Sequence, residues 1–222
     1  MMDVSLKGRR MLQGVSLANQ AFNRKYFRSL FVWLKDQQIV QLDIFIADAT
    51  EPINYTAFRQ MSLDEAKEAV SFRARTQLLS MIQKLQKDAV VPISVELESE
   101  SAICSTPPFI ETLKYLHDAY RASELFRNDV HDQIRLNLVK RREKHGDAYI
   151  EKKLDVLSEY ILDELAYFWC YFKQYPDAGE VYPGPSLFVK DNLFRGKYFT
   201  EGPLKKLDPV PLFIDVSFLK GE

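Results

Sequence analysis

The pattern of apolar and polar positions predicts strands and helices in alternation. Short apolar stretches rich in β-branched residues are typical of buried strands, and longer stretches with apolar residues every three to four positions are typical of amphipathic helices. The predicted strands cover residues 11–17, 39–47, 90–97, 186–189 and 211–218. The predicted helices cover residues 24–38, 63–87, 108–127, 129–144 and 147–173. Residues 48–61 and 176–185 contain prolines and are predicted to be loops.

Local signals set several of these boundaries. Asn23 can cap the first helix, and Ser62 with Glu65 forms the serine–glutamate pair of a capping box at the start of the second. Pro107 suits the first turn of a helix, where its missing N–H would be unpaired in any case. Pro92 places the third strand at a sheet edge or within a bulge.

This order of elements favours an α/β fold, with a central, mostly parallel sheet covered by helices. The chain has 222 residues, 46% of them hydrophobic, which is enough to bury one sizeable core. It contains no repeat or linker, so residues 1–222 are expected to form a single domain. Ligands bind such sheets at the carboxyl ends of the strands. The segment Gly14–Asn19, which ends the first strand, is therefore the first candidate site.

Composition excludes several classes of protein. Lys and Arg number 30 and Asp and Glu 31, so the chain is neither polybasic nor disordered through excess charge. Cys104 and Cys170 cannot form a disulfide framework or a four-cysteine zinc site. No signal peptide and no apolar run of the ~20 residues that a membrane helix needs is present, so we expect a soluble cytoplasmic protein.

Balanced charge still permits nucleic-acid binding, because the basic residues are clustered. Such clusters are commonly solvated surface, and they would matter if they flanked a pocket. One cluster extends from Lys7 to Lys35, a second lies in the helix over residues 63–87, and a third lies in the helix over residues 129–144. The third contains Arg135, Lys140, Arg141, Arg142 and Lys144.

Known catalytic motifs do not fit the end of the first strand. The segment Gly14–Ala18 fails both the glycine-rich phosphate loops and the GxSxG nucleophile elbow. A serine hydrolase would need a histidine base, and His117, His131 and His145 all lie in polar helical stretches without a metal-like motif. Taken alone, Ser16 could simply be a small residue that caps a turn.

A phenol and a carboxylate share one face of the last long helix. Tyr160 and Glu164 are four residues apart, so both project from the same side, close to Tyr167. A buried carboxylate needs a partner or a bound cation. The alternative is a partly exposed helix with an acid at its rim.

Together these motifs resemble the cyclodipeptide synthases. That family has a first strand ending in G-[VI]-S-x-x-N, matched by Gly14 through Asn19, and a downstream helix with Y-x-x-x-E, matched by Tyr160 through Glu164. The segment Pro183–Val189 follows at the expected distance. The resemblance covers roughly residues 10–218. Two motifs at the right separation are much more specific than one.

The resemblance implies a Rossmann-like fold similar to the catalytic domain of class I aminoacyl-tRNA synthetases. It also implies an aminoacyltransferase that uses two aminoacyl-tRNAs to form a cyclic dipeptide, a diketopiperazine, by ping-pong chemistry through an aminoacyl-serine. The resemblance implies that the enzyme needs neither a cofactor nor a metal, and we expect it to be a monomer. The implied catalytic residues are Ser16, Tyr160, Glu164 and Asn19. The implied substrate-binding residues are Gly14, Leu12, Tyr167, Phe188, Lys190 and Asp191. The implied tRNA-binding residues are Arg24, Lys25, Arg28, Arg73, Arg75 and Lys84.

One departure from the family pattern stands out. Where the family usually has Tyr-His or Tyr-Pro after the loop, this chain has Lys190-Asp191. Lys190 could lower the pKa of the serine, the two residues could pair with each other and leave positioning to Asn19, or the site could be inactive. A silent aminoacyl-tRNA-binding homologue is therefore one alternative function, and a small serine hydrolase is a weaker one.

Overall fold

The computed structural model describes residues 6–17, 21–59, 61–89, 93–182, 187–199, 202–207 and 214–217. In this part of the chain five strands form one parallel sheet. They are β1 (Arg10–Val15), β2 (Gln41–Ile46), β3 (Ser94–Ser99), β4 (Gly179–Tyr182) and β5 (Ile214–Ser217). Their order across the sheet is β3-β2-β1-β4-β5. The predicted α/β fold with a central parallel sheet is confirmed.

Helices cover the sheet and connect its strands. They are α1 (Arg24–Asp36), α2 (Glu51–Arg59), α3 (Leu63–Phe72), α4 (Ser80–Ala89), α5 (Glu100–Ile103), α6 (Pro107–Ala122), α7 (Glu124–Asn137), α8 (Val139–His145), α9 (Asp147–Glu151), α10 (Leu154–Gln174) and α11 (Phe188–Phe194). A π-helical stretch, Arg73–Leu79, joins α3 to α4, and a 3₁₀ turn covers Pro203–Lys206.

The two faces of the sheet carry separate hydrophobic cores, because successive side chains of a strand point to opposite faces. In β2, Leu42, Ile44 and Ile46 belong to the core that contains the buried side of α1. Phe45, between them, belongs to the core built by α6, α7 and α10. Its ring stacks on Tyr167 of α10 with the ring centroids 3.3 Å apart. Burial on both faces explains the nearly continuous apolar runs of these strands.

Strand β1 lies at the point where the strand order reverses. It pairs with β2 on one side and with β4 on the other, and the chain reaches β4 only after the helices α6 to α10. The carboxyl ends of β1 and β4 therefore diverge into loops on opposite sides of the sheet. In open parallel sheets this divergence leaves a crevice where ligands bind.

Predictions that rest on local chemistry are confirmed. The Asn23 side chain accepts hydrogen bonds from the backbone N–H groups of Lys25 and Tyr26 and caps α1. Ser62 and Glu65 form the reciprocal hydrogen bonds of a capping box at the start of α3. Strand β3 lies at the edge of the described sheet. Pro92, on which the prediction of an edge or a bulge rests, lies outside the described residues.

Three predicted elements are wrong. Residues 48–61 are not all loop, because Pro52 occupies the first turn of α2, where proline is well tolerated. Residues 176–185 include β4, which is short and is defined by its pairing with β1. The strand predicted over residues 186–189 is wrong where it is described, because Phe188 and Val189 begin α11 and Val189 shares a buried helical face with Leu193.

The predicted helix boundaries also change. The helix expected over residues 63–87 is divided by the π-helical stretch into α3 and α4. The helix expected to end near residue 127 ends at Ala122, because Ser123 caps α7 by accepting a hydrogen bond from Phe126 N–H. The helices expected over residues 129–144 and 147–173 are four helices, α7 to α10.

Candidate functional site

A cleft of about 680 Å³ opens at the carboxyl ends of β1 and β4. Its polar lining comes from several separate elements: the end of β1, α2, α7, α8, α10, β4 and α11. The polar lining residues are Ser16, Asn54, Asn137, Lys140, Arg141, Tyr160, Glu164, Glu180, Tyr182 and Lys190. The apolar lining includes Phe58, Leu157, Ile161, Phe168 and Leu187. The position agrees with the site expected from the strand order.

Ser16 directly follows β1, is half-buried and lines this cleft. Its hydroxyl donates a hydrogen bond to Oε2 of Glu51, at a distance of 3.0 Å. Glu51 is the first residue of α2 and is fully buried. The sequence analysis did not single out Glu51, although it follows the carboxyl end of β2, where the same positional argument that selected Ser16 applies.

The electrostatic environment of Glu51 favours a carboxyl group that titrates near neutrality. Burial raises the pKa of Glu51 to about 7, while hydrogen bonds from Ser16 and Asn54 and the positive charges of Arg73 and Arg59 oppose the rise. Its second oxygen, Oε1, is buried without a well-aligned hydrogen-bond partner among the described residues. Such a group can exchange a proton at physiological pH.

Tyr160 and Glu164 both reach the cleft from α10, as their spacing predicts. Burial raises the pKa of Glu164 to about 8; the charge of Lys190 opposes this rise, and Glu180 and Glu51 add to it. Burial also raises the pKa of Tyr160, with further contributions from Glu164 and Glu51. The phenol is therefore protonated at neutral pH. A cation bound beside Glu164 would stabilise the charged form of its carboxyl group.

Lys190 and Glu180 form an ion pair at the wall of the cleft. Both side chains are almost completely buried. The ammonium also lies 4.6 Å from the ring centroid of Phe168. The sequence left three interpretations of Lys190-Asp191 open, and none of them included Glu180 as the partner of Lys190. The two residues come from β4 and α11, which the sequence patterns failed to identify.

The remaining substrate-binding candidates occupy other places. Leu12 and Tyr167 are fully buried in the core between the sheet and α10, and they do not line the cleft. Phe188 and Asp191 lie on α11, and the described cleft lining includes neither of them. Gly14 lies beside Phe168, where an added Cβ would be 3.8 Å from the ring, an ordinary contact. Asn19 lies outside the described residues.

The basic candidates fall into different environments. Arg24, Lys25 and Arg28 are exposed on α1, and Lys84 is exposed on α4. Arg73 donates a hydrogen bond to the Tyr55 hydroxyl at 3.4 Å and faces Glu51. The side chain of Arg75 is outside the described part of the structure.

Two basic residues that were not assigned to tRNA do line the cleft. They are Lys140 and Arg141 of α8, from the third basic cluster in the sequence. The Arg141 guanidinium lies 4.1 Å from the ring centroid of Phe58, which also lines the cleft. The third cluster thus meets the condition that makes a basic run relevant, because it flanks the pocket.

The described ranges contain neither a metal-ligand cluster nor a membrane-spanning helix. No three His, Cys, Asp or Glu residues there are grouped in a way that could hold a metal ion. None of the helices in the same ranges has the length and apolar character needed to cross a membrane.

The chain is similar to known proteins of one family. A family model described as "Cyclodipeptide synthase" matches residues 2–170. A cyclodipeptide synthase structure from Fluoribacter dumoffii has 16% identity and a TM-score of 0.76, with 94% of this chain and 89% of that chain covered. A cyclodipeptide synthase from Candidatus Glomeribacter gigasporarum bound to Phe-tRNAPhe has 18% identity and a TM-score of 0.64, with 99% and 92% covered.

A more distant structural likeness extends beyond these synthases. Tyrosyl-tRNA synthetase from Archaeoglobus fulgidus has 12% identity and a TM-score of 0.52, with 96% of this chain and 56% of that chain covered. No curated protein matches the chain by sequence. At these identities the structural likenesses establish the fold, which is similar to that of a tyrosyl-tRNA synthetase, in line with what the family resemblance implies.

Proposed function

The chain belongs to the cyclodipeptide synthase family, and from this premise we propose that it joins two tRNA-borne amino acids through an aminoacyl-Ser16 intermediate. The observation that supports the proposal most is the convergence of Ser16, Tyr160 and Glu164 on one cleft. A serine hydroxyl can serve as the nucleophile of acyl transfer, and a phenol and a carboxylate beside it can bind the amine of an amino-acid ester.

The first step is transfer of the amino acid to the enzyme. The Ser16 oxygen attacks the ester carbonyl, a new ester bond forms to Oγ, and the bond to the ribose oxygen of the tRNA breaks. Glu164 binds the ammonium group of the amino acid as its counter-ion, and Tyr160, one helical turn away, hydrogen-bonds the same amine. The tRNA ester is already activated, so the step needs no nucleotide cofactor.

Two aminolysis steps then complete the reaction. The ammonium of the residue held on Ser16 first loses one proton to solvent, and the resulting amine attacks the ester of a second aminoacyl-tRNA. Its second proton passes to the departing ribose oxygen, so that tRNA is released and a dipeptidyl-serine remains. The free amine of the dipeptide then attacks the serine ester. This closes the six-membered ring and regenerates the Ser16 hydroxyl.

The charge around the mouth of the cleft suits the phosphates of a tRNA acceptor arm. Lys140 and Arg141 line the cleft on one side. Arg24 and Lys25 are exposed at the start of α1, shortly after Ala21, which also lines the cleft. We call these four basic residues the basic rim. Lysine and arginine side chains supply the electrostatic part of nucleic-acid binding.

The apolar wall of the cleft indicates the kind of amino acid that fits. Ile161 and Phe168 of α10 and Leu187 before α11 line the same cleft as Glu164. A residue whose ammonium pairs with Glu164 would direct its side chain against this wall. We therefore expect apolar amino acids to be preferred, since burying apolar surface is favourable by about 25 cal/mol per Å².

The proposal is tested by mass spectrometry of medium from a bacterial host that expresses the chain. The wild-type protein should produce a diketopiperazine, the Ser16→Ala variant should produce none, and Ser80→Ala, at an exposed serine of α4, should match the wild type. A soluble wild-type protein that gives no diketopiperazine but binds aminoacyl-tRNA would overturn the proposal in favour of a silent homologue.

A further inference from the structure

The proposed reaction requires a group that removes the proton of the Ser16 hydroxyl. No histidine is found among the described residues that line the cleft. Lys190 is paired with Glu180, and the pKa of the Tyr160 phenol is raised by burial, so the phenol is protonated at neutral pH. Glu164 is occupied by the substrate ammonium in the proposed function. The described polar group in contact with the Ser16 hydroxyl is Glu51.

We propose that Glu51 is the general base for Ser16 and the general acid for the departing ribose oxygen. This inference rests on the proposed function and adds a catalytic residue to it. Its geometric basis is the hydrogen bond of 3.0 Å from Ser16 Oγ to Glu51 Oε2, which is within proton-transfer distance before any substrate binds.

The proton balance of the step is closed by these two residues and the substrate. As Oγ bonds to the ester carbonyl carbon, its proton moves to Oε2 of Glu51. In the resulting tetrahedral adduct the ribose oxygen is attached to the same carbon as Oγ, so it also lies near Oε2. Glu51 then delivers the proton to that oxygen as the carbon–oxygen bond breaks, and the carboxylate is restored.

Several charges face Glu51 and set its proton affinity. Burial raises its pKa to about 7, and Arg59 on the same helix and Arg73 from the π-helical stretch keep it from rising further. From α10, Glu164 and the Tyr160 hydroxyl face the same space. A general base is most effective when its pKa lies near the working pH, which is the condition met here.

A structural role alone explains less of this arrangement. An acidic residue in the first turn of a helix is favourable because of the helix dipole. That role is fulfilled by an exposed carboxylate, as Asp64 and Glu65 of α3 illustrate. Complete burial of Glu51, with Oε1 lacking a well-aligned partner, carries a desolvation cost that a surface residue would avoid.

The test measures the rate of aminoacyl-enzyme formation in a single turnover, by rapid quenching with saturating aminoacyl-tRNA. Glu51→Gln should slow this step by roughly 100-fold or more, the usual contribution of a general base. Glu51→Asp should keep part of the rate, because it retains a carboxylate. Glu100→Gln is the matched control: Glu100 is equally buried and binds the loop before α2 through Thr50, without touching Ser16. Its rate should stay within about threefold of the wild type.

The pH profile of the same rate separates proton transfer from packing. The wild-type rate and the Glu51→Asp rate should rise with pH through a limb near neutrality, and Glu51→Gln should lack that limb while the contribution of Glu164 remains. A folded Glu51→Gln variant with the wild-type rate and an unchanged limb would overturn the inference. Failure of the proposed function can be distinguished from failure of the general-base inference, because in the first case the wild-type protein itself would form no aminoacyl-enzyme.

Discussion

Lys190 of α11 and Glu180 of β4 form an ion pair whose side chains are only 1% and 3% exposed. This pair joins α11 to β4 and forms part of the cleft wall. The positive charge of Lys190 lowers the pKa of Glu164, and the negative charge of Glu180 raises it. The pair is therefore both a structural link and an electrostatic neighbour of the carboxylate proposed to bind the substrate amine.

Breaking this pair from one side should destabilise the fold. Lys190→Met removes the ammonium that pairs with the buried Glu180, and the loss of one member of a buried ion pair costs about 3–5 kcal/mol. Urea unfolding of the single variant should show a loss of this size. The double variant Lys190→Met with Glu180→Leu should recover most of the stability, because the uncompensated charge is gone. A single variant as stable as the wild type would contradict the assigned pairing.

Removing the carboxylate of Glu164 should impair substrate recognition. Glu164→Gln keeps the shape of the side chain but loses the counter-ion of the substrate ammonium, so kcat/KM for aminoacyl-tRNA should fall by roughly 100-fold, as expected when a charged hydrogen-bond partner is lost. The comparison is Glu159→Gln on the same helix, whose side chain is 55% exposed and pairs with His117. Equal activity of both variants would refute the role of Glu164.

The basic rim should control the salt dependence of tRNA binding. Reversing the charges of Lys140 and Arg141 together should weaken binding and reduce the slope of log K against log salt by roughly 2, one for each lost phosphate contact. Filter binding at several salt concentrations measures this slope. Lys35→Glu, at the far end of α1, should leave the slope unchanged. An unchanged slope for the double reversal would place the tRNA elsewhere.

Stability should fall as the pH rises from about 5 to about 8. Burial raises the pKa of Glu100 from 4.5 to about 8, so the folded protein holds a proton that the unfolded chain releases near 4.5. The stabilising contribution is complete below the unfolded pKa and is lost as pH rises to the folded pKa. The slope for one such group is at most about 1.4 kcal/mol per pH unit. Urea unfolding at pH 5 to 8 checks this, and Glu100→Gln should flatten the profile.

Features of the fold that depend on neighbouring residues could be predicted from the sequence. The cap at Asn23 and the capping box at Ser62 are confirmed because their hydrogen bonds join residues two or three positions apart. Strands β1 and β2 are also confirmed, since each is long enough to show a buried pattern.

Features that depend on distant residues were missed. Strand β4 has four residues, and its identity comes from pairing with β1, more than 160 residues earlier. The start of α11 is a short apolar run, which fits a strand as well as a helix until Val189 and Leu193 are seen to share one buried face. The partners Glu180 and Lys190 lie in these two elements, so their ion pair could not be predicted either.

The residues of the candidate site also divide into those that the sequence could predict and those that only the fold brings together. Ser16, Tyr160 and Glu164 were selected from motifs, and the structure brings them to one cleft. Leu12 and Tyr167 were selected by resemblance and lie in the core. Glu51 carries no motif, since a single glutamate before a proline has no distinctive pattern. Its proximity to Ser16 results from the parallel pairing of β1 with β2, which brings the ends of both strands together.

Covalent transfer of an amino acid to Ser16 is the central claim, and intact-protein mass spectrometry tests it most directly. The purified protein is mixed with one aminoacyl-tRNA, quenched in acid within seconds, and compared with Ser16→Ala. We predict a mass increase of one aminoacyl group in the wild type, mapped to Ser16 by peptide analysis, and no increase in the variant. A cyclic dipeptide formed at the wild-type rate by Ser16→Ala, or an aminoacyl group mapped to another residue, would contradict the claim.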